Sequence, residues 1–140
     1  MKMPSLYFAY GANMHPENMK HRCPGATPLR AMNLQDWKLK FYNHATVLPK
    51  KGACVPGVLW AITPACEHSL DVFEGHPTYY TKRTWSQDGI EFFFYEMTPN
   101  NQTGTPGQYY VSDIIDSYKY WNISKDHLTT YVRNLTEHCR

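Results

Sequence analysis

Leu6-Tyr7-Phe8-Ala9-Tyr10-Gly11-Ala12-Asn13-Met14 reads as an apolar strand that runs into a loop able to expose backbone N–H groups. Glycine permits a close or left-handed turn, and asparagine is a favoured partner for it. The stretch that follows, His15 to Arg22, starts a helix with Pro16 at its first position. A strand, a loop and a helix start in that order make a ready anion site, because the N–H groups at the head of a helix have no partners inside it. Many tight turns carry Gly and Asn and bind nothing, so a functional reading needs support from elsewhere in the chain.

The rest of the sequence supplies more strands and three further helices. Trp37, Leu39 and Phe41 alternate with Lys38, Lys40 and Tyr42, which predicts a second strand with its apolar face inward. Val58-Leu59-Trp60-Ala61-Ile62, preceded by Gly57, is a continuous apolar run expected of a strand covered on both sides. Tyr79 to Trp85 and Ile90 to Met97 flank Gln87-Asp88-Gly89, an Asp-Gly turn that predicts a hairpin. Thr63 caps a helix with Pro64 at its first position; Cys66, Leu70 and Phe73 share a face, and Gly75 stops it. Ser112 begins a second, through about Tyr120, with Ile114, Ile115 and Tyr118 apolar. A third starts at Ser124 and sets Leu128, Tyr131, Val132 and Leu135 along one stripe. The polar, Gly/Pro-containing stretch from Asn100 to Gly107 is a surface loop. Separate strands and helices without strict alternation point to an α+β domain, and 140 residues suffice for one domain spanning 1–140.

Composition excludes several functions. The formal net charge is only +2 and the basic residues are interspersed with acids, so electrostatics does not call for nucleic acid or an anionic membrane. The nearest approach to a basic cluster in mid-chain is Lys50-Lys51 in a turn bounded by Pro49 and Gly52. No secretory signal begins the chain and no apolar run approaches the roughly 20 residues of a membrane span, so a cytosolic protein is expected. Cys23, Cys54, Cys66 and Cys139 form no C-x-x-C pair, which predicts reduced, mostly buried thiols and neither a disulfide framework nor a zinc site. The seven histidines show no paired ligand spacing and are read as scattered and solvent-facing.

A second segment changes the weight of the loop. In Leu70-Asp71-Val72-Phe73-Glu74-Gly75-His76-Pro77 a carboxylate sits at the seam between an apolar helix end and a Gly/Pro turn. Together the two segments resemble the gamma-glutamylcyclotransferase family, whose members carry a Tyr-Gly-Ser-Asn loop near the N-terminus and a Leu-Asp-x-x-Glu-Gly segment further on. The resemblance continues through Tyr79-Tyr80-Thr81-Lys82-Arg83 and through Pro106-Gly107-Gln108-Tyr109-Tyr110, and so covers nearly the whole chain. One departure is plain: Ala12 stands where the family usually has serine. A position that works through its backbone N–H accepts that change, whereas a required hydroxyl does not.

The resemblance implies a small mixed β-barrel with helices around it and a cavity at its mouth. It also implies a reaction in which the free α-amine of a γ-glutamyl group attacks its own γ-carbonyl, closes the 5-oxoproline ring and expels the amine linked there. Glu74 matches the family's general acid/base. Read from its neighbours alone it is a carboxylate at a helix end, where Phe73 and Pro77 make a partly apolar site that raises its pKa. Gly11, Ala12 and Asn13 are the candidate N–H donors, with Tyr10 as a wall or phenolic donor and Tyr80 and Tyr110 as further binding residues. Tyr109 adjoins Tyr110, Asp71 is assigned a structural or capping contact, and alternation from Tyr80 puts Arg83 on the opposite face. Ring closure of this kind calls for no metal, cofactor or covalent intermediate, and the implied partner is a small γ-glutamyl compound. The alternative is a catalytically silent module that binds a small ligand or a partner on the same fold.

Overall fold

The computed structural model describes residues 5–124 together with Asp126 and Leu128. Five strands among these residues form one sheet: β1 (Ser5–Ala9), β2 (Thr27–Phe41), β3 (Ala45–Ile62), β4 (Tyr80–Gln87) and β5 (Ile90–Met97), in the order β2-β3-β1-β5-β4. Three helices join them: α1 (Pro16–Arg22), α2 (Pro64–Glu74) and α3 (Gln108–Tyr120). β1 is the middle strand, antiparallel to β3 and parallel to β5, with Tyr7 facing both Trp60 and Phe93 in register. That position explains why Tyr7, Phe8, Ala9 and Tyr10 are all buried rather than alternating. The mixed sheet and separate helices are the α+β arrangement expected.

The β2–β3 ribbon is longer than the sequence patterns suggested. Register shifts between Pro28 and Arg30 and between Gln35 and Trp37 reset the alternation, so within β2 only Trp37 to Phe41 reads as a strand, while Val58 to Ile62 was expected as the close of β3. Trp37, Leu39 and Phe41 do point inward. Lys50 and Lys51 were expected in a turn, but they lie within β3. The bend is real all the same: Gly52 has φ +84° and its N–H donates to Asp36 Oδ1 at 3.0 Å, while Asp36 itself has φ +70°.

Helix ends follow their capping chemistry. The Thr63 hydroxyl accepts from the Cys66 N–H at 3.1 Å, and Gly75 ends α2 in the left-handed conformation with φ +66°. Cys66 and Leu70 are buried, but Phe73, expected on the same face, is 49% exposed and turns toward the cavity described below. α3 begins at Gln108, four residues before the predicted Ser112, with the Val111 N–H bonded to Gly107 O at 3.1 Å. Of the stripe expected after Ser124, Leu128 is described and buried; Tyr131, Val132 and Leu135 lie outside the described residues. No helix among the described residues is long and apolar enough to cross a membrane.

The expectation of reduced thiols is overturned as well. Cys23, just after α1, and Cys66, in the first turn of α2, form a disulfide with Cα atoms 4.9 Å apart. The pairing was invisible locally because 43 residues separate the two cysteines, and the packing of α1 on α2 brings them together. Cys54 is buried.

Candidate active site

β1, α2, α3 and the starts of β3 and β4 converge on a cavity of about 230 Å³. The loop after β1 forms one wall. Gly11 has φ −121°, so it needs glycine not for a left-handed turn but for space: a Cβ there would lie 3.0 Å from the Tyr110 hydroxyl. Ala12–Met14 make a single 3-10 turn closed by the Met14 N–H on Gly11 O at 3.0 Å. The N–H groups of Ala12 and Asn13, at the head of that turn, have no acceptor within it. Asn18 Nδ2 steadies the loop by donating to Ala12 O at 2.9 Å.

Asn13 contributes more than its backbone. Its side chain is buried, with Nδ2 donating to Tyr7 Oη at 3.1 Å and to Glu74 Oε1 at 3.3 Å, while Oδ1 accepts from Arg22 Nη1 at 3.0 Å. Glu74 is the last residue of α2, carried to the cavity by the helix and released there by the Gly75 stop. Burial pushes its carboxyl up to about 7, against the opposing pull of the Arg22 guanidinium. A base poised near neutrality takes a proton and returns it with little bias either way.

Tyrosines enclose the carboxylate. Tyr10 Oη donates to Tyr95 O and Tyr80 Oη to Ala45 O, each at 2.6 Å, which fixes both rings as walls. Tyr110 Oη accepts from the Ala45 N–H at 3.0 Å and lines the cavity, whereas the adjacent Tyr109 is 82% exposed. Burial pushes the phenols of Tyr7, Tyr10, Tyr80, Tyr95 and Tyr110 well above the ordinary range, so they stay protonated. All seven residues named from the sequence for catalysis or binding, Tyr10, Gly11, Ala12, Asn13, Glu74, Tyr80 and Tyr110, line this one space.

Two other candidates fall outside it. Asp71 accepts from Tyr95 Oη at 2.6 Å and pairs with Lys82. Its partial burial alone would raise its carboxyl, but these two partners hold it below the usual value. Arg83 points away and pairs with Glu96 at 2.9 Å. The sequence reading missed Arg22, Tyr7, Tyr95 and Tyr79 as site residues, and it treated His44 as an incidental surface histidine. His44 stands at the cavity mouth, with Nδ1 2.8 Å from Tyr79 Oη and its ring 5.1 Å from that of Tyr110. Partial burial lowers its pKa and keeps it neutral near pH 7.

A carboxylate near neutrality, phenols that stay protonated, two backbone N–H groups without an acceptor in their own turn and the Arg22 guanidinium suit proton transfer at an amine beside an anionic or carbonyl oxygen. A family model described as gamma-glutamyl cyclotransferase, AIG2-like, matches residues 7–120. The gamma-glutamylcyclotransferases of Homo sapiens and Bos taurus are each 37% identical over 82 residues, which is 50% of this chain and 44% of theirs. The match thus spans less than half the length of these curated relatives. A solved gamma-glutamyl cyclotransferase superposes with a TM-score of 0.78 at 28% identity, over 92% of this chain and 86% of its own. An uncharacterized protein from Homo sapiens does so with a TM-score of 0.80 at 28% identity, over 94% and 88%.

Proposed function

The chain belongs to the gamma-glutamyl cyclotransferase, AIG2-like family, and on that premise we propose that it cyclises the γ-glutamyl group of a small amine or amino-acid conjugate to 5-oxoproline. The observation that carries this reading is Glu74, raised to about 7 inside the cavity and facing the Gly11-Ala12-Asn13 loop. The α-ammonium of the γ-glutamyl group loses its proton to the Glu74 carboxylate, and the freed amine attacks the γ-carbonyl. The C–N bond of the ring forms as negative charge gathers on the carbonyl oxygen. Collapse of that intermediate breaks the bond to the leaving amine, which takes the proton back from Glu74; the ring nitrogen gives up its second proton, so the ring closes as a neutral amide and the amine departs as an ammonium ion.

Backbone N–H groups of Ala12 and Asn13 are the donors for the α-carboxylate or the developing oxyanion, and a serine hydroxyl is not required for that role. Tyr10, Tyr80 and Tyr110 hold the glutamyl group so that the amine lies over the carbonyl, and this alignment supplies much of the rate. Glu74→Gln keeps the shape but cannot take up the proton, so turnover should fall by on the order of 10²–10⁴ while ligand binding persists. In the wild type kcat/KM should rise with pH through about 7 as the carboxylate ionises. The test is incubation with γ-glutamyl dipeptides, γ-glutamylamines and glutathione, with 5-oxoproline scored by mass spectrometry. Product from none of them, or undiminished product from a well-folded Glu74→Gln protein, would reject the reading.

A further inference from the structure

We propose that Arg22 is a positioning residue for Glu74: it fixes the side-chain amide of Asn13 so that the N–H, not the oxygen, faces the carboxylate. The proposal rests on Glu74 as the acid/base, and it begins with hydrogen-bond logic. A guanidinium has five N–H donors and no acceptor. The Asn13 atom that meets Arg22 Nη1 at 3.0 Å is therefore the oxygen, which leaves Nδ2 for Tyr7 Oη at 3.1 Å and Glu74 Oε1 at 3.3 Å. Without Arg22 the amide is free to turn over with almost no change of shape, and its oxygen would then oppose the carboxylate. A donor in that place favours the ionised form of Glu74, and an acceptor favours the protonated one.

Arg22 is well held for this task. It ends α1, and the next residue, Cys23, is bonded to Cys66 in the first turn of α2, the helix whose last residue is Glu74. At the other end of α2 the guanidinium lies 3.6 Å over the ring of Phe73, the immediate neighbour of Glu74. The two elements are thus tied at both ends of α2, with the Asn13 amide wedged between their charges.

The other groups facing Glu74 do not perform this function. Tyr7 and Tyr10 on β1, Tyr79 and Tyr80 at the start of β4, and Tyr95 on β5 are phenols that burial keeps protonated, as is Tyr110 on α3. Asp113, also on α3, acts on Arg22, and Asp71 on α2 itself is occupied by Tyr95 and Lys82.

The test is a pH titration of the Glu74 carboxyl carbon by ¹³C NMR, assigned by its loss in Glu74→Gln, in wild type, Arg22→Gln, Asn13→Ala and the double variant. Circular dichroism establishes that each is folded. Arg22→Gln and Asn13→Ala should each move the Glu74 titration up by on the order of one unit, and the double variant should exceed Asn13→Ala only by the direct pull of the lost guanidinium. Arg22→Lys should restore part of the shift. In turnover assays the acidic limb of kcat/KM should move with the titration while KM changes little. An unchanged Glu74 titration in folded Arg22→Gln overturns the proposal, and so does an Asn13→Ala protein that titrates like wild type, which would reduce Arg22 to a bare charge. If Arg22→Gln does not fold, the Asn13→Ala titration decides. Absence of turnover in the wild type rejects the cyclotransferase reading, whereas the titration judges Arg22 independently of it.

Discussion

Glu74 exacts a measurable cost from the fold. Its carboxyl is raised from an ordinary 4.5 to about 7, so between those values the folded chain binds a proton that the unfolded chain has lost. Stability therefore falls as pH rises through this window. Glu74→Gln removes the penalty and keeps an acceptor for Asn13, so it should be more stable than wild type above pH ~7 by about 1–3 kcal/mol, with the difference fading below pH ~4.5. Urea denaturation at both ends of the range checks this; parallel pH dependences in the two proteins would contradict a raised carboxyl. A variant that gains stability as it loses turnover identifies a residue kept for function. The loop makes a second residue-scale prediction. Ala12→Ser should leave activity nearly unchanged, because the proposed donor is the backbone, whereas Gly11→Val should damage ligand binding by driving its branches into the Tyr110 hydroxyl. Unchanged ligand affinity in folded Gly11→Val would remove the loop from the site. Glu74 and this loop were legible because they match the two segments that carry the family resemblance; the breakers beside them, Gly75 and Gly11, mark turns but do not by themselves mark a site. Arg22, Tyr7, Tyr95 and His44 were not, because their roles are contacts across elements: Arg22 reads locally as an ordinary cation in the last turn of a short helix.

Elements were recovered from the sequence in proportion to how chemical their boundaries are. Thr63, Pro64 and Gly75 delimit α2 by hydrogen bonds and backbone geometry, and Asp88 and Gly89 turn the hairpin with φ of +52° and +79°. The β2–β3 ribbon has no such markers, and its bulges break the two-residue period on which a strand assignment depends. Tyr109-Tyr110-Val111 hid the first turn of α3 for a related reason: aromatic and β-branched residues are weak helix formers, and the tertiary contacts of Tyr110 with Ala45 and His44 are invisible in the local sequence. The α1–α2 pairing is likewise tertiary, and the Cys23–Cys66 bond makes it testable. Cross-linking across 43 residues removes loop entropy from the unfolded chain worth about 4 kcal/mol in the chain-entropy view. Cys66→Ser should lower stability by about 2–4 kcal/mol, and a reductant should destabilise wild type but not the variant. Identical denaturation midpoints for wild type with and without reductant would show that α1 and α2 are held without the bond.

Over the whole molecule, the sheet's two end strands meet. β2 and β4 terminate the strand order, and exposed strand edges invite unwanted pairing. The side chain of Gln87, at the end of β4, bridges to β2: Nε2 donates to Asn33 O and Oε1 accepts from the Gln35 N–H, both at 2.8 Å, without backbone pairing between the two strands. Trp37 on β2 and Trp85 on β4 stack edge-to-face beside it with centroids 5.4 Å apart, and Arg83 lies 5.3 Å over Trp37. This curl gives the sheet one end at which the close of β1 and the starts of β3 and β4 surround the cavity. Gln87 is at the other end of β4 from Tyr80, about 23 Å along the strand. The Gln87 bridge and the site are therefore separable. Gln87→Ala should cost about 1–3 kcal/mol for the two hydrogen bonds lost and should speed hydrogen exchange at the Gln35 amide. Under the proposed reaction, turnover per folded molecule should stay at the wild-type level, because Gln87 is not among the residues that line the cavity. Wild-type exchange at Gln35 would show that the edges are held by other contacts, and a fall in turnover matching the loss of stability would show that closure shapes the site.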